Sequence, residues 1–177
     1  MRIRVWYGLA ALLAGLGAVP LAAQETMTAK PVCAAPVVPE GALAAWTAQA
    51  DMQAQGDPAK LGGARIQPGQ AVRVALLPTP DVHFPMRPEK PGGSVSHGGL
   101  IGVDVEKAGT YRVALGSGAW IDLIGNGNPV ISTAHGHGPD CTGIRKMVDF
   151  ALTPGHYTLQ ISANAEPQIS LLVVSLP

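Results

Sequence analysis

Val103-Asp104-Val105-Glu106-Lys107-Ala108-Gly109-Thr110-Tyr111-Arg112-Val113-Ala114-Leu115 decides the reading of this chain, because it returns as Val148-Asp149-Phe150-Ala151-Leu152-Thr153-Pro154-Gly155-His156-Tyr157-Thr158-Leu159-Gln160-Ile161. Each copy is a short apolar strand with a central aspartate, a turn closed by glycine, and a second strand in which a tyrosine and two aliphatic residues alternate. Residues at every second position of a strand share a face, so each copy has one buried side, and an antiparallel sheet with one apolar face follows. Between the copies lies Ser132-Thr133-Ala134-His135-Gly136-His137-Gly138-Pro139-Asp140-Cys141-Thr142, the stretch densest in groups that could do chemistry.

Outward from the repeat, the alternation recurs. Gln70 to Leu77 aligns Val72, Val74 and Leu76; Leu100 to Val105 aligns Ile101, Val103 and Val105; the last strand aligns Ile169, Leu171 and Val173, with Leu172 and Val174 apolar behind. Turn residues separate these runs at short intervals. The expected fold is all-β: an antiparallel β-sandwich or jelly roll of seven to eight strands, with one short helix between Glu40 and Gln53, where Leu43, Trp46 and Ala50 fall at helical spacing. Trp46 is read as a plug over the sheet. If Tyr111, Val113 and Leu115 share a face with Ile121 and Leu123 across a hairpin, its loop must be Gly116-Ser117-Gly118, since a two-residue turn would set Arg112 opposite Leu123. That register predicts a cross-strand ion pair between Arg112 and Asp122, with a structural contribution of about 0–1 kcal/mol.

Residues 1–23 read as a secretory signal peptide: Arg2 and Arg4, an apolar run from Val5 to Val19, a break at Pro20, and Ala22-Ala23 at the cleavage point. An uncleaved anchor is the weaker alternative, and cleavage leaves no membrane span. Residues 24–69 form a Pro- and Ala-rich arm with the short helix, and residues 70–177 the sandwich domain. The 12 basic and 12 acidic side chains balance. No cluster of Lys and Arg offers a phosphate backbone the charge it needs, so nucleic acid is not an expected partner. Export to the periplasm or beyond places Cys33 and Cys141 where thiols oxidise, and their pairing is expected; the alternative is a thiolate ligand at Cys141. Such a bond closes a loop of roughly a hundred residues, for which the chain-entropy account gives about 4–5 kcal/mol.

His135-x-His137 presents two imidazoles to one side of an extended segment. A metal site needs a third ligand, for which His97 is the leading candidate beside His83, Asp140 and His156; imidazole-rich donors suit zinc or copper(II) rather than calcium. Five prolines from Pro78 to Gly93 leave a stiff loop that cannot be central sheet, with His83, Phe84, Met86 and Arg87 as its side chains for a ligand. Ser117 sits in a turn between strands rather than at a strand-to-helix elbow, and no acid–base pair follows from spacing, so no catalytic residue is assigned.

The runs Arg87-Pro88-Glu89-Lys90-Pro91-Gly92-Gly93-Ser94-Val95-Ser96, Gly109 to Trp120 and His135-Gly136-His137-Gly138-Pro139-Asp140-Cys141 resemble a group of small exported bacterial proteins without an established role. Some of that group carry the name homogentisate 1,2-dioxygenase, which implies iron held by two His and one Glu. The final hundred residues are more loosely similar to the pre-peptidase C-terminal type of secreted domain, which implies an accessory role. The leading expectation is an exported, non-catalytic binding or accessory module for an envelope protein or small ligand, needing no cofactor. Periplasmic zinc or copper binding through His135 and His137 comes second, and an iron-dependent dioxygenase third.

Overall fold

The computed structural model describes residues 32–177. The expected signal peptide lies outside these residues. Among the described residues twelve strands run in chain order: β1 (Gln49–Gln53), β2 (Arg65–Ile66), β3 (Ala71–Ala75), β4 (Leu77–Pro78), β5 (His97–Val105), β6 (Gly109–Leu115), β7 (Trp120–Gly125), β8 (Asn128–Val130), β9 (Ser132–Gly136), β10 (Lys146–Leu152), β11 (Gly155–Asn164) and β12 (Gln168–Ser175). They make two six-stranded sheets. The first has the order β1-β3-β12-β6-β10-β9; the second has β2-β5-β11-β7-β8, with β4 also on β5. The seven or eight strands expected become twelve because short segments join the sheets. Two of them carry proline, Pro78 in β4 and Pro129 in β8, which an edge accommodates. The sheets are not wholly antiparallel, since β1 runs parallel to β3 and β2 parallel to β5. Both of those strands come from the segment read as an arm.

The repeat is built differently from a hairpin. β5 belongs to the second sheet and β6 to the first, whereas β10 belongs to the first and β11 to the second. Each copy is therefore an arch from sheet to sheet, and the copies pair reciprocally: β5 with β11, and β6 with β10. Three extended residues reach about 10 Å, the spacing of packed sheets, so Glu106-Lys107-Ala108 is long enough to cross. The tyrosines tie the arches. Tyr111 Oη donates to the Lys107 carbonyl at 2.7 Å, and Tyr157 Oη to the Thr153 carbonyl at 2.8 Å, each four residues back. An aromatic body in the core with its hydroxyl anchored on the preceding turn satisfies both halves of the side chain. Gly125 faces Tyr157 across the strands, and a Cβ there would lie 2.7 Å from the ring.

A further crossing, from β6 in the first sheet to β7 in the second, corrects the register around Gly116-Ser117-Gly118. β6 and β7 lie in different sheets, so Arg112 never meets Asp122. Arg112 stands opposite Asp149 and binds it twice at 2.7 Å, while Asp122 stands opposite Gln160. Alternation predicts which residues face inward, but not whether the next strand lies beside its predecessor or across from it.

Inward rows from both sheets merge into one core, with Val74, Val113, Leu115, Phe150 and Leu171 from the first and Ile101, Leu123, Leu159 and Ile161 from the second. Each fully buried aliphatic side chain contributes about 1.5–3 kcal/mol relative to exposure. A second cluster lies behind the first sheet, where Leu172, Val174, Ala71 and Ala114 receive Leu43 and Trp46. Those two residues belong to a 3-10 helix, Gly41–Thr47; the expected helix stops there, and Ala50 lies in β1. Trp46 Nε1 donates to the Thr142 carbonyl at 3.0 Å, close to the Cys33–Cys141 disulfide, which joins residues 108 apart.

Candidate functional site

Lys146 opens the site. It begins β10, whose inward row continues Val148, Phe150 and Leu152, so the alternation that buries those three also turns a lysine toward the space between the sheets. Opposite it, β7 is paired with β8 only from Leu123 onward; among the described residues Trp120, Ile121 and Asp122 have β11 on one side and no strand on the other. The chain then passes through Ile131 from β8 in the second sheet to β9 in the first. The result is a cleft between the two open edges.

The cleft has about 420 Å³ of space, with Ile121, Leu123, Val148 and Phe150 as its floor, Pro129, Val130 and Ile131 at one side, and Trp120, Lys146, His135, Asp122 and Glu89 at the mouth. An adjoining cavity of about 350 Å³ shares Trp120, Lys146 and His135 and adds Lys90, Arg145 and His137. One end is thus apolar and continuous with the core, while the other is rich in cations.

Two ammoniums face the same aromatic ring. Lys90 Nζ lies 4.9 Å and Lys146 Nζ 5.0 Å from the centre of the Trp120 ring, where the ring quadrupole attracts a cation. Lys146 also donates to the Ala119 carbonyl at 2.9 Å. Burial pushes the Lys146 pKa below the usual lysine value, Lys90 pushes it further down, and Asp122 partly offsets both. Among the described residues neither ammonium forms an ion pair. Asp122 is itself engaged, accepting from Trp120 Nε1 at 3.0 Å and Gln160 Nε2 at 2.9 Å.

The sequence-predicted residues are distributed unevenly around this cleft. His135 stands opposite Val148, so it shares the inward side of the first sheet, and His137 lies one residue beyond β9 with Nδ1 3.2 Å from the Arg145 carbonyl oxygen. Both are exposed and both line the smaller cavity. His97 is elsewhere, at the start of β5 opposite Pro78 and Asn164, with Nδ1 buried and without a hydrogen-bond partner. Among the described residues no three of His, Cys, Asp and Glu gather closely enough to hold a metal. The two-His, one-Glu donor set implied by the dioxygenase name is therefore not assembled among those residues.

The proline-rich loop lies over the outer side of the second sheet, where Ser162 Oγ donates to the Lys90 carbonyl at 2.8 Å and Phe84 approaches Gly98. It enters the cleft through Glu89 and Lys90 rather than His83, Phe84, Met86 or Arg87. Sequence reasoning missed Trp120, Lys90 and Lys146. The signal for Lys146 was present: a lysine two residues before Val148 occupies the inward row.

Two other charged groups sit on outer faces and satisfy one another. Arg112 and Asp149 form the bidentate pair above, which raises the arginine pKa. Asp104 accepts Arg65 Nε at 2.8 Å, a second Arg65 nitrogen, and His156 Nδ1. The arginine hydrogen bonds chiefly lower the Asp104 pKa, to about 2, with desolvation opposing and His156 assisting. Ser117 Oγ donates to Asn164 Oδ1 at 2.6 Å. No helix among the described residues is long and apolar enough to cross a membrane. Compared with known protein families and curated proteins, the chain matches none.

Proposed function

We propose that the chain is an exported, non-catalytic β-sandwich module that binds a small ligand in the cleft between β7 and β9. The observation that carries this reading is the pair of ammoniums on Trp120. Burial and the nearby Lys90 disfavour the charged form of Lys146, and an anionic ligand set against both ammoniums would offset that repulsion. The volume lies in the range of small-molecule sites, and the mixture of apolar floor and few polar groups is their usual composition. The Cys33–Cys141 disulfide accords with an oxidising compartment outside the cytosol.

The test follows the Trp120 indole N–H resonance by two-dimensional NMR against a panel of sugars, amino acids, nucleotides, short peptides and carboxylates. At least one class shifts Trp120 while leaving Trp46, on the far side of the first sheet, unmoved. A panel that leaves Trp120 unmoved at millimolar concentration overturns the reading.

A second reading is supported by the shared lining of His135 and His137: capture of zinc or copper(II), with remaining positions filled by solvent or ligand. Calorimetric zinc uptake that disappears in both His135→Ala and His137→Ala supports it, and identical titrations in wild type and variants reject it.

A further inference from the structure

The cleft is asymmetric in a way that specifies its ligand. We infer that it accepts a small amphipathic organic anion, a medium-chain carboxylate being the type, with the apolar body between the sheets and the carboxylate against Lys146 and Lys90. This inference rests on the cleft being a binding site and adds the class of compound.

The floor comes first. Leu123, Val148 and Phe150 offer no hydrogen bond, and they belong to the core that holds the sheets together. Water is poorly held there, and a polyhydroxylated ligand would lose its own hydration without replacement. An alkyl or aryl group instead gains the transfer free energy of each methylene it buries. At the side of the cleft, Ile131 is 79 % exposed, an isoleucine unprotected from solvent beside the apolar lining of the throat. A ligand tail in the throat would cover it.

The head of the ligand is set by charge. Lys146 projects from an inward position, and Lys90 reaches the same ring from the loop above the second sheet. Both carry donors, and Arg145 adds a third cation nearby. Of the two carboxylates at the mouth, Asp122 has its oxygens taken by Trp120 and Gln160, and Glu89 is exposed. An incoming carboxylate therefore meets two ammoniums that form no ion pair among the described residues. Such charge-assisted bonds are stronger than neutral ones. A bare inorganic anion would use the rim and leave the throat empty; a neutral alcohol would do the reverse. The concave site between two sheet edges suits a single molecule rather than a bilayer surface.

The test titrates the full exported protein with decanoate, octanoate, 1-octanol and inorganic phosphate by calorimetry, and follows the Trp120 indole resonance. Decanoate binds and shifts Trp120. Octanoate binds about tenfold more weakly, as loss of two buried methylenes requires. 1-Octanol is weaker than octanoate by about tenfold, and phosphate does not compete at equal concentration. Lys146→Met weakens decanoate about tenfold while keeping an unbranched side chain only one heavy atom shorter. Ile131→Ser, at an exposed position where folding is not at stake, weakens it severalfold. The inference is overturned if decanoate leaves Trp120 unmoved at 5 mM, if 1-octanol equals octanoate, or if the protein floats with phosphatidylglycerol vesicles without binding free decanoate. Should the carboxylates fail while a sugar or peptide from the wider panel moves Trp120, the ligand class falls and the binding cleft stands.

Discussion

Asp149 and Lys146 lie three residues apart on β10, and their surroundings are opposite. Asp149 points to the outer face, is 7 % exposed, and has both oxygens bound by the Arg112 guanidinium. Lys146 points inward at the open end of the same strand, beside a second ammonium and an aromatic ring. A charge whose partner is built into the neighbouring strand serves the fold. A charge brought inward beside a carbonyl and a ring, with no carboxylate in ion-pair contact among the described residues, keeps a desolvation cost that an anionic ligand can offset. The same contrast separates Asp104, enclosed by Arg65 and His156, from Lys90.

The largest effect should come from breaking the satisfied pair. Asp149→Ala leaves a half-buried guanidinium without its carboxylate, and urea unfolding should report a loss of about 2 kcal/mol. Replacing both partners together, Arg112→Met with Asp149→Leu, should recover most of that loss. If the double variant is no better than the single one, the pair is not the source of the effect.

Asp104 gives the next effect and a pH signature. Its folded pKa lies below the unfolded value, so its contribution is complete above about pH 4 and is lost as pH falls toward 2. Asp104→Asn should lower stability at neutral pH by about 1 kcal/mol and flatten the decline between pH 4 and 2. An acid denaturation curve parallel to that of wild type would contradict this assignment.

Lys146→Met reverses the sign. Removing a partly desolvated ammonium should leave stability unchanged or raise it by up to about 1 kcal/mol, even as decanoate binding weakens. A fall of 2 kcal/mol would make Lys146 a structural residue like Asp149. Lys90→Met, at an exposed position, should change the unfolding midpoint least, by under about 0.5 kcal/mol, and still weaken decanoate severalfold.

Much of the architecture was legible because burial and alternation are local. Tyr111, Val113 and Leu115 face the core as their spacing requires, and Leu172 and Val174 have apolar cover behind them. Connection was not legible in the same way. A glycine-bounded turn can close a hairpin or cross between sheets; a tyrosine hydroxyl bound four residues back marks the two arches of the repeat, whereas the crossing from β6 to β7 at Gly116-Ser117-Gly118 has no such tyrosine. That one ambiguity moved Arg112 from Asp122 to Asp149. At the site, His135 could be placed from its position among chemical groups, whereas Lys90 and Trp120 meet only through tertiary folding. Lys146 stood in plain view, on the inward row of a strand whose other members were already read as core.

The most direct measurement is a crystal structure with 10-bromodecanoate, its bromine located by anomalous scattering. Bromine is expected between Leu123 and Phe150 and the carboxylate within hydrogen-bond reach of Lys146, as this binding mode requires. Bromine on any other face, or an empty cleft at saturating ligand, would contradict it.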